Sequence, residues 1–119
     1  MVGTVDVNAI ANYKQTPSAT DLAANLIVTA AKVLTTDDTV IECTANTATD
    51  DYNITLPSVS AATGRFYSIS ATLVANSKAA TVIDAGDSIV DISLALDTTG
   101  DRAVFFSNGR NWFYFSVLT

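Results

Sequence analysis

From Leu26 onward, apolar and polar residues alternate with a period of two, in short runs separated by turn-forming residues. That period belongs to β-strands with one face buried. An apolar run at Leu26 to Thr29 precedes Lys32-Val33-Leu34. A turn at Thr36-Asp37-Asp38 leads into a strand from Thr39 to Thr44, and Ala45 to Asp51 reads as a polar loop. Tyr52, Ile54 and Leu56 share one face of the next strand, which Pro57 stops because proline cannot donate to a ladder. Ser60 to Gly64 forms a turn or a single helical turn before a long strand from Arg65 to Val74. Ala75 to Lys78 turns the chain into a strand at Ala80 to Ile83, and Asp84 to Asp87 turns it again. Ser88 to Leu96 reads as one strand or two short ones. Roughly seven to nine strands at about ten-residue spacing predict an all-β domain. The expected architecture is an antiparallel β-sandwich, jelly-roll-like, or a small barrel.

The stretch from Gly100 to Phe115, GDRAVFFSNGRNWFYF, carries the most information. Ala103 to Ser107 and Trp112 to Val117 read as two strands joined by a tight turn at Asn108-Gly109, the pair that best tolerates the positive φ of a primed hairpin turn. Trp112 and Tyr114 are expected on one face of the second strand, and Phe113 and Phe115 on the other. A strand that is aromatic on both faces has one side for its own core. The other side is left for another sheet or another chain.

Residues 1–25 differ from the rest and read as an N-terminal arm, with residues 26–119 as the β-domain. Val2, Val5 and Val7 alternate with polar residues, and Pro17 lies in a loop-like stretch. Ser18 to Asp21 reads either as a cap for a short helix or as a linker.

Composition narrows the function classes. The chain has 119 residues, 49% hydrophobic and 15% charged, where about a quarter charged is usual. This excludes disorder and suggests that partners cover much of the surface. The net charge is −6, with Lys14, Lys32, Lys78, Arg65, Arg102 and Arg110 dispersed along the chain. No basic cluster is present to neutralise phosphates, so nucleic acid is not an expected partner. No run approaches the length that spans a bilayer, and no membrane association is expected.

Catalytic chemistry finds little to work with. There is no His, which removes the commonest general base and metal ligand, and the single Cys43 lies in an apolar run where a buried, inert thiol is expected. The hydroxyls of Ser68, Ser70 and Ser107 have no activating base in view. Asp84, Asp87 and Asp91 lie close together, but their spacing matches no calcium loop, and aspartate is a common turn former. No metal, cofactor or enzymatic activity is expected.

Four phrases sit in a distinctive order: Thr36-Asp37-Asp38-Thr39-Val40-Ile41, Ile54-Thr55-Leu56-Pro57, Ala62-Thr63-Gly64-Arg65-Phe66-Tyr67-Ser68-Ile69, and Gly100-Asp101 through Ser107-Asn108-Gly109 to Trp112. Together, over about residues 32–119, they resemble a β-rich module of tailed-bacteriophage virion proteins, found in capsid decoration (cement) proteins, head fibres and tail fibres. Thr63 and Ala85 depart from the usual pattern without threatening the fold. The resemblance implies a β-sandwich that assembles as a homotrimer and binds rather than catalyses.

With a short arm and no shaft repeats, the chain is read as a stand-alone capsid decoration protein. The expected place is the outer surface of the major capsid shell of the virion. On this reading Val2, Val5, Val7, Ile10 and Tyr13 of the arm would contact the major capsid protein. Phe66, Phe105, Phe106, Trp112, Phe113, Tyr114 and Phe115 would form the trimer interface or fill the protomer's own core. The alternative is a head-fibre, tail-fibre or spike module that binds a host receptor or glycan, which would place aromatics on loops.

Overall fold

The computed structural model describes residues 26–46 and 51–119. The expected arm, including Val2, Val5, Val7, Ile10 and Tyr13, lies outside the described residues.

The described chain is all-β and contains no helix. Its strands are β1 (Leu26–Val28), β2 (Lys32–Val33), β3 (Val40–Ala45), β4 (Tyr52–Thr55), β5 (Phe66–Val74), β6 (Ala80–Ile83), β7 (Ser93–Leu96), β8 (Arg102–Ser107) and β9 (Trp112–Val117). They form a five-stranded sheet in the order β1-β3-β5-β8-β9 and a four-stranded sheet in the order β2-β4-β6-β7.

Both sheets are mixed, which corrects the antiparallel expectation. Up to β6, successive strands alternate between the two sheets, so each circuit of the chain adds one parallel strand to each. β1, β3 and β5 pair in parallel, as do β2, β4 and β6. A parallel pair needs a long crossover connection, and here a strand of the other sheet serves as that crossover. Only the last third reverses direction, with β7 antiparallel to β6, β8 to β5 and β9 to β8.

The inner faces of the two sheets bury one core. Ile41, Cys43, Tyr67, Ile69, Ala103, Phe105 and Trp112 come from the five-stranded sheet, and Ile54, Val82, Leu94 and Leu96 from the other. Trp112 meets Tyr67 edge-on at 5.5 Å, a favourable aromatic geometry. Cys43 is fully buried, and burial pushes its thiol up to about 11, so it stays a neutral, unreactive core residue at pH 7.

Two local expectations change. The segment before β7 is a loop, because side chains and loop carbonyls claim its backbone N–H groups. The N–H of Ile89 donates to the Arg110 carbonyl, that of Val90 to Asn111 Oδ1, and that of Ile92 to Asp84 Oδ1. The β8–β9 connection is also wider than a two-residue turn, since Ser107 pairs directly with Trp112. Asn108 Oδ1 accepts from the N–H groups of Arg110 and Asn111, and only Gly109 in this loop takes a positive φ, at 94°. Consecutive positive φ angles occur instead at Asn76 (59°) and Ser77 (60°), where the chain leaves β5 for β6. The Lys78 N–H closes that turn on the Ala75 carbonyl at 3.2 Å.

Candidate interaction face

Register places the outward side chains of the five-stranded sheet in rows. Phe66, Phe106 and Phe113 form one row, and the Phe66 and Phe106 rings lie 4.7 Å apart. Val40, Ser68, Val104 and Phe115 form the next. Ile27, Glu42, Ser70, Arg102 and Val117 form the third. Most of these apolar side chains are exposed: Phe66 by 55%, Phe113 by 51% and Phe115 by 82%.

The outward face of the four-stranded sheet contrasts with this. Its rows are Asn53, Thr81 and Ala95, then Val33, Thr55, Ile83 and Ser93, so small polar residues predominate and Val33 and Ile83 are its larger apolar side chains. The five-stranded sheet carries much the larger outward apolar area of the two. Among the described residues, nothing covers the apolar one.

The site residues expected from sequence divide between core and surface. Phe105 and Trp112 are buried in the protomer core. Tyr114 points inward at the open edge and packs on Phe105 with ring centroids 5.3 Å apart. Phe66, Phe106, Phe113 and Phe115 point outward, as the period-two reading of the last strand requires.

The fold also gathers residues that are far apart in sequence. Arg65, just before β5, and Arg110, in the β8–β9 loop, lie at the Phe66–Phe106–Phe113 end of the sheet. Arg102 stands in the third row at the other end. Aromatic residues and arginine are the types enriched in protein–protein contacts. Their dispersal along the chain hid this grouping, which only the pairing of β5, β8 and β9 reveals.

A shallow hollow of about 140 Å³ lies between the outward side chains of β5, β8 and β9, lined by Ser68, Arg102, Ala103, Val104, Phe115 and Val117. The Arg102 guanidinium donates to the Gly100 carbonyl at 3.2 Å, which tethers it beside this hollow.

Elsewhere, Asp84 and Asp87 hold loops together. Asp84 accepts from the N–H groups of Gly86 and Ile92, each at 2.8 Å, and Asp87 accepts from the Val59 N–H at 3.1 Å. Burial alone would raise the Asp84 carboxyl, but the N–H groups of Ile92, Gly86 and Ser88 outweigh it and hold the carboxyl below its ordinary value. Among the described residues, no group of three or more His, Cys, Asp or Glu is arranged to hold a metal ion. No family model, no curated protein and no solved structure matches this chain.

Proposed function

We propose that this is a non-enzymatic structural protein of a bacteriophage virion. It would be a capsid decoration protein: a two-sheet β-sandwich that assembles as a homotrimer and stabilises the major capsid shell from outside. The exposed aromatic face of β5, β8 and β9 carries the reading. Leaving Phe66, Phe113 and Phe115 in water is unfavourable, and a partner removes that cost. The resemblance of residues 32–119 to phage decoration and fibre modules supplies the virion context. The exposed aromatics lie on strands rather than on loops, which favours assembly over the fibre-tip alternative. A ligand that binds only the assembled shell stabilises it by mass action, and no catalytic group is needed.

The test is copy number in purified particles, read by calibrated gel densitometry against the major capsid protein. Near-equal amounts support decoration of the whole shell, a few copies per particle favour the fibre alternative, and absence from particles overturns both.

A further inference from the structure

We infer that the partner of the aromatic face is a second copy of this chain, and that the Phe115 ring of one copy seats in the hollow beside Phe115 of the next. This deepens the assembling reading above and rests on it.

Area is the first argument. At about 200 Å² for a whole aromatic side chain, the exposed parts of Phe66, Phe113 and Phe115 come to about 380 Å². Ile27, Val40, Val104 and Val117 are between 38% and 63% exposed and bring the face to roughly 600 Å². A stable interface takes about 800 Å² from each partner, about 65% of it apolar in homodimers. This one face therefore supplies the apolar area that an interface between copies needs.

Shape is the second. An apolar cavity of about 150 Å³ holds a benzene molecule, so a hollow of about 140 Å³ matches a phenyl ring. Phe115, at 82%, is the most exposed large apolar side chain among the described residues, and it forms one wall of that hollow. Knob and hole thus adjoin on a single surface. A surface that carries both features has the self-complementarity that a contact between identical copies requires.

Charge is the third. A chain of net charge −6 repels its own copies over most approaches. The rows of this face hold only Glu42 and Arg102, and Arg65 and Arg110 stand at one end. With a single carboxylate in its rows, this face lacks the acid-to-acid repulsion that the net charge sets up elsewhere.

The experiment uses sedimentation velocity and native mass spectrometry of the full chain over a concentration series. Phe115→Ala removes the knob together with one wall of the hole, and Ser68→Phe fills the hole. Both positions face outward, so urea midpoints followed by Trp112 fluorescence, taken at dilutions where all the proteins are monomeric, should stay near wild type. Each variant alone is expected to weaken self-association at least tenfold. If both variants associate like wild type, the contact is refuted while the assembling reading stands. A wild-type chain that remains monomeric into the millimolar range would overturn both.

Discussion

Replacing Asp101 by Asn keeps the shape of the side chain and removes half of its strong acceptor capacity. Asp101 is fully buried just before β8. Its Oδ2 accepts from the N–H groups of Asp97 and Thr98, both at 3.0 Å. Its Oδ1 accepts from the Thr119 N–H at 2.7 Å and the Thr119 hydroxyl at 3.0 Å. One carboxylate therefore ties the β7–β8 turn to the chain just beyond β9, the strand that carries Phe115. In Asp101→Asn the remaining oxygen can serve one of these pairs, and the new amide N–H groups face the other. Against Thr119 the amide costs least, since the Thr119 hydroxyl can accept from it and only the Thr119 N–H loses its acceptor. The expected loss is about 1–3 kcal/mol, a sizeable share of the 5–15 kcal/mol that holds a typical domain folded.

Burial by itself raises the Asp101 carboxyl, but the donors from Thr119, Thr98 and Asp97 prevail and hold it below its ordinary value. A carboxyl depressed in the folded state contributes stability above its unfolded value near pH 4, and that contribution fades as pH falls through the folded value. The gap between wild type and Asp101→Asn should therefore be widest at neutral pH and narrow in acid below about pH 4. Urea unfolding of both proteins across pH, followed by the fluorescence of the single tryptophan, measures it. A loss below about 1 kcal/mol at pH 7, or a gap that widens in acid, would refute the reasoning.

Four further outcomes are expected. Trp112→Ala should cost about 3–5 kcal/mol in urea unfolding, as large aromatic truncations in cores do. Trp112→Phe should cost less than half of that, because Trp112 Nε1 is buried without a partner and its removal leaves no donor unmet. Ser77→Gly should raise stability by as much as about 1 kcal/mol, since Ser77 holds a φ of 60° that glycine adopts without strain; an unchanged thermal midpoint would argue against that strain. Gly109→Ala should destabilise the β8–β9 loop twice over, through its φ of 94° and through a new Cβ 2.9 Å from Thr63 Oγ1. Faster amide exchange at Asn108 to Asn111 would report it.

The positions of the strands were legible in the chain itself, because they follow from local rules. Alternation at Tyr52-Ile54-Leu56, the stop at Pro57 and the aromatic run after Asn111 depend only on neighbouring residues and the two-residue period of a strand. The same period by itself separates Trp112 and Tyr114 from Phe113 and Phe115. Turn type was less secure. Asn108-Gly109 has the composition of a primed turn, yet Asn108 spends its side chain on Arg110 and Asn111 and widens the loop. Side chains likewise drew the N–H groups of Val90 and Ile92, and the Arg110 carbonyl that of Ile89, away from a ladder that their β-branched character suggested.

Pairing direction belonged to the tertiary structure alone. An apolar–polar strand reads the same whether its neighbour runs parallel or antiparallel, so nothing local told β3 to lie parallel to β5 with β4 in the opposite sheet. Which outward face stays apolar was decided at the same level. Phe66, Val104 and Phe115 are scattered in sequence and become one surface only when β5, β8 and β9 come into register. Local residue chemistry determines where this chain is extended and which side chains share a side. Long-range pairing determines which sides meet each other and which are left for a partner.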